Sequence, residues 1–158
     1  ERLVTVHEGA SLDEAQAQLS PGGNFGPWIW ELKLKAEHIS AEEVRLRLPY
    51  GDHIARPGGV VVGQAMMAMA DTIMVLAICE KLGRFATLAT ISQTTNFLRA
   101  AVQQDVIGVA RAVKVGRSTA FGEVGLYVDG SSDPIAQALS TFAVLPDGVG
   151  AFNRADQR

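Results

Sequence analysis

The feature that most constrains the fold of this 158-residue chain is an apolar stretch from Ala65 to Cys79 that contains one charged residue, Asp71. Its 15 residues are fewer than the roughly 20 that a membrane-spanning helix needs. With its flanks it predicts one helix from Gly63 to Leu82, ended by Gly83, a residue typical of helix ends. Because this helix is apolar almost all round, we expect protein on every side of it.

The segments on both sides of this helix predict β-strands. Apolar residues alternate with charged ones from Trp28 to Lys35 and from Val44 to Leu48, which predicts a hairpin. After the helix we expect an antiparallel meander of four strands, because their connections are too short for crossovers. These strands are Ala86 to Leu98, Val106 to Val115, Thr119 to Val128 and Ile135 to Leu145. The predicted fold class is α+β, with a curved antiparallel sheet of five to six strands wrapped around one long central helix.

Length and composition predict a single globular domain. Hydrophobic residues make up 47% of the chain and charged residues 20%, which are ordinary values for such proteins. We interpret residues 1–24 as an N-terminal helical extension with a short helix at 11–20, residues 25–146 as the domain, and residues 147–158 as a polar C-terminal tail.

Charge and cysteine content restrict the partners and the compartment. The formal net charge of −3 argues against a nucleic-acid partner. No targeting segment or membrane span is visible, so we expect no membrane partner. The single Cys79 cannot form an intrachain disulfide and fits a reducing compartment, so we expect a cytoplasmic protein in which Cys79 lies in the core.

Asp71 needs an explanation, because a buried carboxylate is costly unless it is paired or hydrogen-bonded. Either this helix position reaches solvent or a subunit interface, or Asp71 lines a cleft as a general base or nucleophile. At the helix start, Gly58, Gly59 and Gly63 would let backbone N–H groups approach a ligand, and the positive helix end would stabilise an oxyanion. Glycines at such a position are also ordinary turn formers.

The spacing of the two candidate groups predicts a homodimer. Gly63 and Asp71 are eight residues apart, which is roughly 12 Å along a helix and too far for both to act on one carbonyl. If both are catalytic, they must come from different subunits. Two antiparallel copies of the helix, side by side, would bring Gly63 of one chain near Asp71 of the other, twice per dimer.

These residues lie in a pattern that resembles the hot-dog-fold acyl-CoA thioesterases of the phenylacetyl-CoA thioesterase (PaaI-like) type. That family's pattern is Asn-x-x-Gly-x-x-His-Gly-Gly, six residues and Asp, followed by a strand ending in Asn-Phe-Leu-Arg. The matching stretches here are 56–64, 65–70, Asp71 and 96–99, and the segment 110–124 is similar to two later strands of the family. Arg56, Val62 and Gln64 stand where the family often has Asn, His and the second Gly. The resemblance covers roughly residues 25 to 145.

The resemblance implies hydrolysis of an acyl-CoA thioester to the free acid and coenzyme A. Gly63 N–H and the helix dipole would bind the carbonyl oxygen, while Asp71 of the other subunit activates water as general base or attacks directly. Thr90 stands where related enzymes carry a Ser or Thr that helps hold the attacking water. The alternative is that Thr90 is an ordinary strand threonine. Arg56 donates to the thioester oxygen, pairs with Asp71 of the partner chain, or is a solvated loop arginine.

Further residues are candidates for binding the substrate. Methionines of the helix are expected to line the acyl pocket, although core packing explains such side chains equally well. Basic residues at strand ends and turns are candidate contacts for the phosphates of coenzyme A, or solvated surface residues. The methionines are Met66, Met67 and Met74, the basic residues are Arg99, Lys114 and Arg117, and the remaining candidates are Gly59, Val62, Gln64 and Asn96.

No metal or cofactor is expected, because His7, His38 and His53 do not share ligand spacing and give no support for a Ser/His/Asp triad. Two other functions stay open. The missing Asn and His of the family pattern fit a protein that binds acyl-CoA or an acyl ligand without turnover. A hot-dog hydratase ranks last, because the Asp and His pairing for dehydration is absent. Two homodimers can also associate further, into a tetramer.

Overall fold

The computed structural model describes residues 10–147, which form an antiparallel sheet curved around one long helix. The sheet has six strands, so the predicted fold class is confirmed. The tail predicted at 147–158 lies outside the described residues except for Asp147, and the division into extension, domain and tail stays a prediction. The helices are α1 (Leu12–Gln18), α2 (Pro27–Glu31) and α3 (Gly63–Leu82), and the strands are β1 (Lys35–Ile39), β2 (Val44–Leu48), β3 (Ala55–Arg56), β4 (Val60–Val61), β5 (Leu88–Phe97), β6 (Val106–Val115), β7 (Thr119–Val128) and β8 (Pro134–Val144).

Helix α3 forms the centre of the core, as the apolar stretch predicts. It starts and ends where expected, and Gly83 terminates it with a left-handed φ of 73°. A Cβ at Gly108 of β6 would lie 2.8 Å from Met69 Cε, so this glycine lets the helix pack closely on the sheet. Cys79 is buried, as predicted, and burial raises the pKa of its thiol. No helix in the described part of the chain is long and apolar enough to cross a membrane.

The strands follow the order β1-β2-β6-β7-β8-β5, and all neighbours are antiparallel. The meander predicted after α3 is confirmed for β6, β7 and β8 but is wrong for β5, which pairs with β8. The connection after β5 is not a hairpin loop between neighbouring strands. Backbone hydrogen bonds tie it instead to the small β3–β4 hairpin. Val61 N–H donates to Ala101 O, and Gln103 N–H donates to Gly59 O, both at 2.9 Å. The chain therefore crosses the end of the sheet before it enters β6 beside β2.

The strand predicted from Trp28 to Lys35 is wrong, because its first half is the short helix α2. Gly26 is the N-cap and Pro27 opens the first turn, where its fixed φ suits a helix and its missing N–H is not needed. Lys33 then adopts a φ of 55°, after which β1 begins. The predicted hairpin with β2 exists, but its first strand lies later in the chain than expected.

The two edges of the sheet differ in their protection. β1 is covered by α1, the helix predicted at residues 11–20, whose Gln16 side chain donates to Leu34 O and accepts from Ala36 N–H. β5 is ten residues long, contains no charged residue and pairs on only one side within residues 10–147. A long, uncharged and uncovered edge strand is a surface for pairing with another chain.

Candidate active site

Asp71 lies on the one face of α3 that the sheet does not cover completely. Its carboxylate is partly buried, and Oδ1 accepts a hydrogen bond from Thr90 Oγ1 at 2.8 Å. Met67 and Gln64 lie on the same face, one and two turns closer to the helix start, and both are exposed. The structure thus brings together two of the predicted site residues, a carboxylate and a hydroxyl that donates to it.

The start of α3 presents backbone N–H groups that have no acceptor within residues 10–147. The first N–H groups of a helix have no partner inside it, and the Val62 N-cap has no side-chain acceptor to offer them. Val62 is itself fixed by the bond from its N–H to Ile54 O at 2.8 Å. Gly58 and Gly59 have positive φ values of 96° and 77°, which allow the tight turn that leads to this helix. The uncapped, positive end of α3 is suited to binding an oxyanion.

Phe97 lies against the helix start and was missed by the sequence reasoning. A Cβ at Gly63 would be 3.1 Å from Phe97 Cζ and 3.3 Å from Cε1, so the distal edge of the ring contacts this glycine. The ring is 48% exposed. Its place in the Asn-Phe-Leu-Arg stretch was the available signal, but the contact with Gly63 shows that Phe97 faces α3.

Gln93 lies between these two groups and was also missed. Its Nε2 donates to Met67 O at 3.1 Å, and its Oε1 accepts from Ser140 Oγ at 3.4 Å. The β-bulge between Thr90 and Ser92 turns both Thr90 and Gln93 toward α3, which strict alternation along the strand would not do. One chain therefore carries two half-sites, Asp71 with Thr90 and Gly63 with Phe97, on either side of the Gln93–Met67 contact.

The other predicted binding residues are dispersed. Asn96 lies on the outer face of the sheet, where it lines a groove with Tyr127 and Gln137, so it does not share a face with Asp71. Arg99 pairs with Asp133 at 3.3 Å on the surface. Three of the predicted basic residues are exposed and form no ion pair within residues 10–147. They are Arg56, which is on β3 near the start of α3, and Lys114 and Arg117, which are at the β6–β7 turn, the end of the sheet opposite to Arg99.

The expectation that three methionines line the acyl pocket is wrong for two of them. Met66 is 4% exposed and Met74 is 0% exposed, and both belong to the hydrophobic core. Met67 is 42% exposed and lies on the same face as Asp71. Helical periodicity puts Met66 on another face of α3. Met74 lies on the same side as 67 and 71 but further along the helix, where β7 buries it, since a Cβ at Gly122 would overlap Met74 Sδ.

Neither of the two histidines that the structure describes bonds to a residue of either half-site. His53 bonds to Glu31 O at 3.0 Å, His38 bonds to Ser40 Oγ at 3.3 Å, and His7 lies outside the described residues. Across residues 10–147, no three His, Cys, Asp or Glu side chains converge as they would around a metal ion.

Comparison with known proteins links this geometry to thioesterases. Residues 58–134, which include both half-sites, match the model of the family described as the Thioesterase superfamily. A protein of Halobacterium salinarum named "Putative esterase" is 29% identical over 149 residues, covering 88% of this chain and 98% of that protein.

Solved structures show the same fold. A crystal structure described as a "putative thioesterase" from Silicibacter sp. has a TM-score of 0.76 and 28% identity, covering 90% of this chain and 97% of that one. A thioesterase from Haemophilus influenzae, at 19% identity, shares the fold with a TM-score of 0.76, covering 88% of this chain and 93% of that one. The chain therefore has the hot-dog fold of thioesterases.

Proposed function

We propose that the protein is a hot-dog acyl-CoA thioesterase of the PaaI-like type, which hydrolyses an acyl-CoA to the free acid and coenzyme A. The observation that carries this proposal is that one helix, α3, carries both groups. Its partly buried Asp71 carboxylate accepts a hydrogen bond from Thr90 Oγ1 of β5, and its start, which has no side-chain cap, provides Gly63 N–H. A carboxylate base and an oxyanion donor are the two groups that thioester hydrolysis needs. The match to the Thioesterase superfamily supports the same reaction class.

We also propose that the active unit is a homodimer formed by antiparallel pairing of two β5 edges. Along α3, Met67 is midway between Gly63 and Asp71. Along β5, the midpoint between Thr90 and Phe97 falls between Gln93 and Thr94. The two midpoints are in contact, since Gln93 Nε2 donates to Met67 O. A two-fold axis through this contact would place Gly63 of each chain opposite Asp71 of the other.

In this arrangement each active site takes one half from each chain. Gly63 N–H donates to the thioester carbonyl oxygen, and Asp71 of the partner subunit takes a proton from water while the water oxygen attacks the carbonyl carbon. The tetrahedral oxyanion collapses, the C–S bond breaks and coenzyme A leaves as the thiolate. Thr90 positions Asp71 and the water. Direct attack by Asp71 would use the same geometry and form an acyl anhydride that water then hydrolyses.

Basic residues would hold the nucleotide end of the substrate. Antiparallel pairing brings the β6–β7 turn of one chain, with Lys114 and Arg117, toward the end of the other chain that carries Arg56 and Arg99. We propose that phosphates of coenzyme A bind among these four residues. To bind a phosphate, Arg99 would have to break its ion pair with Asp133. That ion pair is exposed to solvent and therefore weak.

Two further expectations stay predictions. Association of two dimers would use the outer face of the sheet, where Val113 and Leu139 are each 65% exposed. A cytoplasmic location is expected from the single cysteine.

Replacing Asp71 tests the proposal directly. With Asp71→Asn we expect thiol release from a panel of acyl-CoAs to fall by about 10²- to 10⁴-fold, because the amide cannot accept the proton. Glu123→Gln, on the outer face of the sheet, is the matched control and should retain wild-type rates. Unchanged activity of Asp71→Asn would rule out this mechanism. Tight binding of acyl-CoA by the wild-type chain without hydrolysis would instead support the acyl-ligand binding protein, which the Arg56 and Val62 departures from the family pattern favour.

A further inference from the structure

The Phe97 ring lies where a thioester bound at Gly63 would have to enter. Its distal edge, at 3.1 Å from the Cβ position of Gly63, contacts the residue whose N–H is the proposed oxyanion donor. The amide nitrogen and the Cβ position are both bonded to the same Cα. A thioester whose oxygen accepts from this N–H at about 2.7–3.1 Å would therefore lie close to the ring edge.

The ring is a firm boundary for such a ligand. Phe97 is the last residue of β5 and pairs with Ala136 of β8, which is fully buried. An aromatic side chain on a paired strand has few torsions with which to move aside. The ring is nevertheless 48% exposed, so the side that Gly63 does not cover is open to a ligand.

Exposed apolar side chains occur in the segments that meet near the helix start. Met67, Leu98 and Val102 are 42%, 50% and 46% exposed and come from the same face of α3 or from the end of β5 and the loop that follows it. No charged residue occurs from Leu88 to Leu98. An acyl group that enters beside Gly63 would thus meet hydrocarbon, and its fit would depend on shape.

We infer that Phe97 determines acyl specificity by acting as a wall at the carbon next to the thioester carbonyl, so that the enzyme accepts straight acyl chains and rejects chains branched at that carbon. This inference rests on the proposed thioesterase function. A hydrophobic contact of one methyl group commonly discriminates substrates by about 10- to 200-fold. The wall should therefore be visible as a ratio of specificity constants.

The experiment compares butyryl-CoA with 2-methylpropanoyl-CoA, which have the same atoms and differ only in branching at this carbon. We expect wild-type kcat/KM to favour the straight isomer by at least about tenfold, and Phe97→Ala to reduce that preference about tenfold or more. Phe97→Leu keeps most of the side-chain volume, so its preference for the straight isomer should lie between those of the wild type and Phe97→Ala. Phe121→Ala removes a similarly exposed ring from the outer face and should leave the ratio unchanged.

A ratio of two substrates measured on one preparation does not depend on how much of a variant folds, so partial misfolding would not imitate the result. An unchanged ratio in Phe97→Ala, with hydrolysis that still requires Asp71, would overturn the inference and leave the proposed function standing. The same holds if Phe97→Ala alters only the preference for coenzyme A over a short thiol, since the ring would then face the leaving group. Absence of Asp71-dependent hydrolysis in the wild type would overturn both.

Discussion

At the scale of single residues, the candidate site depends on how one carboxylate is held. Asp71 occupies an otherwise apolar helix, and its recorded side-chain partner within residues 10–147 is Thr90 Oγ1 at 2.8 Å. Arg56, which the sequence offered as a partner for Asp71 of the other chain, forms no ion pair within residues 10–147 of its own chain. The hydroxyl therefore fixes the orientation of the carboxylate.

Thr90→Val tests that role. Valine keeps the branched shape that suits a strand but cannot donate a hydrogen bond, so Asp71 loses its orienting contact. We expect kcat/KM for acyl-CoA hydrolysis to fall about tenfold, with little change in the free energy of unfolding because both groups are solvent-accessible. Thr94→Val, on the outer face of the same strand, is the matched control. Equal activity of the two variants would show that the Thr90 bond is incidental.

At the scale of elements, a helix or strand could be predicted from the sequence when residues close to it in the chain determine it. Helix α3 could be predicted to the residue, because its apolar run and Gly83 specify it locally. The strand predicted from Trp28 failed because Pro27 after Gly26 starts a helix whatever the alternation that follows. The pairing of β5 with β8 is non-local and has no signal in the strand itself.

The same reasoning applies to the site. Asp71 and Gly63 were identifiable because each stands out in its own segment. Phe97 and Gln93 were not, because the bulge after Thr90 changes which residues of β5 face the helix. Counting by twos from Thr90 puts Asn96 on the helix face and Phe97 on the outer face, the reverse of what the structure has.

The junction of β1, β2 and β6 yields a prediction about pH. Arg47 of β2 bonds to Glu37, to Asp105 at 3.0 Å and to Asp129 at 2.8 Å. The hydrogen bond from Tyr50 N–H, and after it the Arg47 guanidinium, lower the pKa of Asp105. A carboxylate whose pKa is lower in the folded chain stabilises the fold above its usual pKa, and this stabilisation is lost as the pH falls through the folded value.

Asp105→Asn should therefore lower the free energy of unfolding at pH 7 by about 1–2 kcal/mol, since the charged acceptor is lost. The difference from wild type should shrink as the pH falls below about 4, the usual pKa of aspartate, and vanish once the pH is below the lowered pKa of the folded carboxylate. Urea denaturation at several pH values measures it. Asp133→Asn, which breaks an exposed pair with Arg99, should change stability by less than about 0.5 kcal/mol at any pH. A difference at Asp105 that is independent of pH would contradict the charge argument.

At the scale of the whole molecule, one chain is half of each proposed active site. Pairing of two chains at the β5 edge would explain two facts together. The edge is exposed, and Gly63 is separated from Asp71 by roughly 12 Å along α3. Antiparallel pairing about the Gln93–Met67 contact would extend the sheet across both chains and join the half-sites in pairs.

The central claim is that each site takes Gly63 from one chain and Asp71 from the other, and a mixed dimer tests it most directly. Gly63→Pro removes the oxyanion N–H while keeping the helix, because proline suits the first helical position and Val62 already has the extended ψ of 145° that precedes a proline. Its ring would displace the exposed Phe97 ring of the same chain, which belongs to the site that already lacks the N–H. Each chain would carry a different affinity tag, so that the dimer of one Asp71→Asn chain and one Gly63→Pro chain is purified away from both homodimers.

Both homodimers should be nearly inactive, because every site in them lacks one of the two groups. The mixed dimer has one site with both groups intact and one with neither, so thiol release from an acyl-CoA should recover to about half of the wild-type rate per dimer. If Gly63 and Asp71 of the same chain acted together, every site in the mixed dimer would be defective. A mixed dimer as inactive as its two parents would therefore contradict the shared site.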